Sequence, residues 1–172
     1  MKTLVLSVAV TMLAAGLAVA DDDYPVAVED LPQAVSASVQ AYFPGAEIVS
    51  AKTDEDDGRR TFDLKVDYKD LVLRVETRAD GRIREIDMDR GYKGLVRTLG
   101  REASLSEVGV GALPQEVQGA VADIFPGSKI VSAAQGEDGG RTYYRLRAKQ
   151  RSLLLRLDVR ADGRVLDIDT EK

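Results

Sequence analysis

The sequence predicts an α+β fold: a tandem repeat of one helix plus a four-stranded antiparallel meander, with the helices on one face of the sheet. Three observations predict it. Leu31-Pro32-Gln33 to Phe43-Pro44-Gly45 returns as Leu113-Pro114-Gln115 to Phe125-Pro126-Gly127, about 82 positions later. After each Phe-Pro-Gly the spacing of apolar residues changes from about 3.6 to about 2. Asp80-Gly81 and Asp162-Gly163 then mark tight turns between alternating segments.

Each copy opens with an extended segment. Val26 and Val28 alternate with Ala27 and Glu29, and Val108 and Val110 repeat them. The first helix is expected from Leu31 or Pro32 to Phe43, because Leu31, Val35, Val39 and Phe43 form one apolar stripe. Pro32 suits a first turn, where its missing N–H costs nothing. Asp30 and Gln33 are placed to act as a capping pair, and Ala112 removes that pair from the second copy. Leu113, Val117, Val121 and Phe125 repeat the stripe, with Ile124 added. The prolines at 44 and 126 end both helices by forcing the preceding residue out of helical geometry.

The meander follows. Glu47 to Ala51 reads as a short strand, and Asp54-Glu55-Asp56-Asp57-Gly58 as a polar loop. Phe62, Leu64, Val66 and Tyr68 alternate with Asp63, Lys65 and Asp67, the signature of a half-buried strand. Leu71, Leu73, Val75 and Thr77 alternate with Val72, Arg74, Glu76 and Arg78. Ile83 to Met88 is the fourth strand. In the second copy Tyr144, Leu146 and Ala148, then Leu153, Leu155, Leu157 and Val159, keep the inward pattern. Slightly under half of the aligned positions are identical. The domain organisation is therefore a leader at 1–20, repeat 1 at 24–89, a connector at 90–105 and repeat 2 at 106–172. The connector contains Gly91, Gly94 and Gly100, with Leu95, Val96 and Leu99 spaced for a helical turn.

Composition limits function. The chain has 172 residues, a net charge of -5, 44% hydrophobic and 31% charged residues, as ordinary globular domains do. It has no Cys and no His, so disulfides, thiolate metal sites, thiol nucleophiles and imidazole acid–base chemistry are excluded. A pI near 4.9 argues against a general nucleic-acid binder. Aromatic residues are sparse at 5%, with no Trp, which argues against a broad stacking platform.

Lys2, the uncharged run from Leu4 to Val19, and Ala18-Val19-Ala20 followed by Asp21-Asp22-Asp23 have the layout of a secretory signal peptide. The run is shorter than the roughly 20 residues a membrane span needs. The expectation is a periplasmic or secreted mature chain without a membrane span.

Candidate chemistry is sparse. The acidic run at 54–58 invites a calcium reading, but Gly58 falls where a third ligand belongs and the distant Glu is missing. A solvated hairpin loop is the favoured reading. The two Arg-Ala-Asp-Gly-Arg segments read as structural turns. Asp87 with Asp89, and Asp167 with Asp169, share a strand face and could only form a hydrolytic pair in a shielded cleft. No phosphate loop, dinucleotide fingerprint or activated hydroxyl is present. No cofactor, no metal and no catalytic residue is implied, and the chain is not expected to be an enzyme.

What varies between the copies is the outward face: Asp63, Lys65 and Asp67 become Arg145, Arg147 and Lys149. The candidate binding surface is the sheet face carrying Arg74, Arg78, Arg145, Arg147, Arg156 and Arg160, since Arg is favoured where interfaces concentrate their energy. The plainer reading of the same face is the wet side of an antiparallel sheet.

The runs LPQAVSASVQAYFPGAEIVSA, FDLKV, LVLRV and ADGRI resemble the PepSY-like domains of exported bacterial proteins. LPQEVQGAVADIFPGSKIVSA, YYRLRA, LLLRLDV and ADGRV do so equally. The resemblance covers nearly the whole chain after the leader. It implies a fold similar to the β-lactamase-inhibitor protein, and a protein or peptide partner in the cell envelope, with peptidase binding or inhibition among the family's associations. It carries no catalytic residue. The leading expectation is an exported, non-enzymatic binding module, and the alternative is an extracytoplasmic small-ligand or cation sensor using the acidic loop.

Overall fold

The computed structural model describes residues 24–56, 58–89 and 105–171. The expected leader and the connector up to residue 104 lie outside them. Repeat 1 contains β1 (Tyr24–Val26), a 3-10 turn (Val28–Asp30), α1 (Gln33–Tyr42), β2 (Glu47–Asp56), β3 (Arg59–Tyr68), β4 (Leu71–Arg78) and β5 (Ile83–Met88). Repeat 2 contains β6 (Ser106–Val108), a 3-10 turn (Val110–Ala112), α2 (Gln115–Ile124), β7 (Lys129–Asp138), β8 (Arg141–Gln150), β9 (Leu153–Arg160) and β10 (Val165–Thr170).

Each repeat forms a five-stranded antiparallel sheet, ordered β1-β2-β3-β4-β5 and β10-β9-β8-β7-β6. The expected four-stranded meander is therefore one strand short. The extended segment ahead of each helix joins the sheet: Tyr24, Pro25 and Val26 face Thr53, Lys52 and Ala51. Val28, expected to continue that segment, instead lies in a 3-10 turn that folds the chain onto its helix. The expected Asp30–Gln33 cap does not form. Pro32 is the N-cap and makes no side-chain cap bond; its carbonyl accepts from the Val35 amide at 2.9 Å.

The second strand of each repeat is ten residues long, and this corrects the polar-loop expectation. Asp54 and Glu55 face Thr61 and Arg60 in the β2–β3 ladder, so most of the acidic run is strand. The backbone of this hairpin has partners only if the strand continues to the turn, and those partners outweigh the run's turn-like composition. Gly58, at φ +70°, supplies the conformation that closes it.

The helix stripe buries as its spacing requires. Val35, Val39 and Phe43 are inaccessible to solvent, as are Val117 and Phe125. They pack on Leu64, Val66, Leu73 and Val75 in the first sheet and on Leu146, Leu155, Leu157 and Val159 in the second. Both helices and the inner faces of both sheets contribute to one core. At its centre the rings of Phe43 and Phe125 lie 5.8 Å apart and tilted by 57°. Neither repeat could supply that contact alone, which accords with the small core a domain of this size can build.

The Asp-Gly turns lock each sheet to its own helix. A Cβ at Gly81 would lie 2.4 Å from the Ala34 carbonyl oxygen, and one at Gly163 would lie 2.9 Å from that of Glu116. Both glycines hold positive φ, at +83° and +84°. Asp80 Oδ1 accepts from the Arg82 amide at 2.9 Å, and Asp162 Oδ1 from Arg164 at 3.1 Å, which fixes both turns.

Candidate functional site

The face away from the helices is built by strand alternation. On β3 it carries Asp63, Lys65 and Asp67, on β4 Arg74 and Glu76, and on β5 Glu85 and Asp87. The second sheet offers Arg145, Arg147 and Lys149, then Arg156 and Asp158, then Asp167 and Asp169.

Five of the six candidate arginines are held by carboxylates of the chain itself. Arg74 Nε donates to Asp63 Oδ1 and Oδ2 at 2.9 and 2.8 Å. Arg145 grips Asp158 bidentately, with both bonds at 2.8 Å. Arg147 donates to Glu171 at 2.6 Å, Arg156 pairs with Asp169, and Arg160 with Asp162. Arg78 is half-buried on β4 opposite Thr61 of β3. The face is thus a set of oriented guanidinium–carboxylate pairs rather than a bare cationic patch.

The charge exchange between the copies rewires this face. In the second sheet Arg145 and Asp158 stand directly opposite each other and pair. The matching residues of the first sheet, Asp63 and Glu76, are both acidic. Each therefore turns to a diagonal partner, Asp63 to Arg74 and Glu76 to Arg84, the latter at 2.9 Å. Like charges directly across a ladder repel, and the diagonal pairs relieve that.

The outward face is not wholly wet, contrary to the expectation from alternation. Asp158 is 2% exposed, and Tyr143 beside it is also 2% exposed. Tyr143 has room because Gly136 lies opposite: a Cβ there would sit 2.8 Å from the ring. Burial pushes the Tyr143 phenol pKa up. Around Ala133 a groove of about 460 Å³ is lined by Val108, Val110, Val131, Arg145 and Arg147. Val49 and Val131 are repeat-equivalent and both exposed, at the points where the β2–β3 and β7–β8 registers shift.

The sequence reading missed the seam. β5 and β10, the last strands of the two repeats, lie beside each other without a hydrogen-bonded ladder. Thr170 Oγ1 accepts from the Ile86 amide at 2.8 Å and donates to the Ile86 carbonyl at 3.2 Å. One member of each Asp-x-Asp pair is brought to this seam, Asp87 from the first and Asp169 from the second. Asp87 has Asp169 and Glu85 as acidic neighbours, and its carboxyl pKa is pushed up to about 7, first by burial and then by these acids. A shallow pocket of about 430 Å³ opens beside them, lined by Glu85, Arg156, Asp169, Thr170 and Glu171. The signal available in the sequence was that Asp87 and Asp169 occupy equivalent positions in the last strands of the two repeats. Among the described residues no group of three or more acidic side chains is arranged to hold a metal ion.

No family model matches the chain, and no curated protein does. Solved structures offer likenesses. A protein from Bacteroides vulgatus, described as periplasmic and of the DUF2874 family, is 21% identical over 87% of this chain and 98% of that one, with a TM-score of 0.35. One from Bacteroides thetaiotaomicron, described as calcium-regulated and periplasmic, is 20% identical over 87% and 98%, with a TM-score of 0.34. A BLIP-like protein from Bacteroides fragilis is 12% identical over 80% and 84%, with a TM-score of 0.33. Below a TM-score of 0.5 these stand as likenesses only.

Proposed function

We propose that the chain is an exported, non-enzymatic module that binds a protein or peptide partner through the outer sheet face of the two repeats. The observation that carries this reading is the row of oriented guanidiniums across both sheets: Arg74, Arg145, Arg147 and Arg156, each fixed by a carboxylate. An arginine already held in place loses little rotamer freedom on binding and can still offer its remaining N–H donors and its planar face. The expected leader at 1–20 supports delivery to the periplasm or beyond. The PepSY resemblance supports a peptidase as the partner class, and inhibition as the outcome of binding.

The test compares two versions of the mature chain as bait in envelope extract, the unaltered one and one with Arg74→Glu and Arg156→Glu. A partner retained by the first and lost by the second supports the reading. Equal recovery by both, or nothing above background, overturns it.

A further inference from the structure

The join between the repeats has an unusual chemistry. β5 and β10 are each the last strand of a sheet, and Thr170 Oγ1 bridges them by accepting from and donating to the backbone of Ile86. The next residue on β5, Asp87, and the one before Thr170 on β10, Asp169, turn to the outer face beside that bridge, where Asp169 and Glu85 are the acidic neighbours of Asp87. Two carboxyl groups held side by side either share a proton or repel, because an ionised carboxylate is an acceptor alone.

The charges around the pair favour that proton. On β5, Glu85 repels the ionised form of Asp87. On β4, Arg74 stands opposite Asp87, but its guanidinium is engaged with both oxygens of Asp63. On β9, Arg156 pairs with Asp169. Further out, Lys65 of β3 goes to Asp89 at 3.2 Å, and Arg147 of β8 to Glu171 at 2.6 Å. Asp167 lies within the field of Arg145, which grips Asp158.

The geometry points to a proton-dependent seam: Asp87 and Asp169 share one proton across β5 and β10, and its loss sets two like charges against each other beside the Thr170 bridge. Burial first, and the acidic neighbours second, raise the Asp87 carboxyl from 3.8 to about 7. The folded chain therefore binds this proton more tightly than the unfolded chain does. Its contribution to stability is fully present below about 3.8 and is lost as pH rises through about 7. Asp87 is only partly buried, so water moderates the effect. The device stands on the fold and is independent of whether the outer face binds a partner.

The deciding measurement is a carboxyl-carbon NMR titration of Asp87 in the unaltered mature chain, from about pH 3 to pH 9. A midpoint near 7 is expected, with the Ile86 amide losing at least several-fold of its hydrogen-exchange protection over the same interval, after correction for intrinsic exchange. Asp87→Asn, which keeps a donor and removes the charge, should hold Ile86 protection constant across that range. Titration of Asp87 in a single step near 4 would overturn the proposal whatever the variant does. So would an unchanged pH dependence of Ile86 protection in Asp87→Asn.

Discussion

Arg151 lies over the ring of Tyr42, its guanidinium carbon 5.2 Å from the centroid, and donates to the Ala41 carbonyl at 3.2 Å. The repeat-equivalent residue, Lys69, reaches the other way and donates to the Asp123 carbonyl at 2.8 Å. Ala41 and Asp123 lie in the last turns of α1 and α2, where carbonyls have no partner within the helix. Each repeat thus caps the other's helix with a cation at its negative end. Both capping residues sit at a hairpin tip with positive φ, 51° for Lys69 and 52° for Arg151, a conformation that ordinary residues adopt at a cost.

That cost separates two substitutions of Arg151. Arg151→Gly loses the contacts to Tyr42 and Ala41 but relieves the backbone. Arg151→Ala loses the same contacts and keeps the strain. Denaturant unfolding should place the alanine variant below the glycine variant by about 1 kcal/mol. Equal stabilities would mean that the tip is not strained.

The Phe43–Phe125 contact should make the two repeats one cooperative unit. Either residue changed to alanine should cost about 3–5 kcal/mol, because both rings are fully buried. The double variant should cost less than the two single losses together, since the rings touch. Unfolding followed by probes in each half should stay a single transition in the unaltered chain.

Gly81 and Gly45 hold nearly the same backbone angle, φ +83° and +82°, in different surroundings. Gly45→Ala meets nothing within 4 Å and should cost only the strain of positive φ, about 1 kcal/mol. Gly81→Ala drives a methyl into the Ala34 carbonyl and should cost about 1–3 kcal/mol more. Thermal midpoints of the two variants measured side by side decide this.

Two arginine pairs on the outer face should differ sharply in stability. Arg145→Ala strands the Asp158 carboxylate, which is 2% exposed, and should cost about 3–5 kcal/mol. Arg74→Ala removes a side chain that is 67% exposed, and should cost no more than about 1 kcal/mol. Chemical denaturation of both variants at one pH measures the contrast.

Phe43, Leu73 and their counterparts Phe125 and Leu155 were legible as core because burial enforces a period, and the period is written in the order of apolar residues. The helix ends were legible for a similar local reason, since Pro44 and Pro126 restrict the residue before them. The outer face was legible as a set of residues but not as a set of pairs. Nothing in the order of letters says that Asp63 turns to Arg74 rather than to its direct neighbour, or that Asp158 is buried while Glu76 is not. The segments that form β1 and β6 were legible as extended, but their place in the sheet was not, because three residues carry too little pattern to name a partner strand.

By itself, the sequence determined the duplication, the inward set and the turns, because local sterics and hydrophobic spacing act between near neighbours in the chain. Only the tertiary structure decided that Asp87 meets Asp169, that Thr170 bridges to Ile86, and that each hairpin tip caps the opposite helix. Those contacts join residues more than fifty positions apart. Their partners are set by how two finished sheets and two finished helices close around one core, and side-chain charge then settles into the positions that closure leaves.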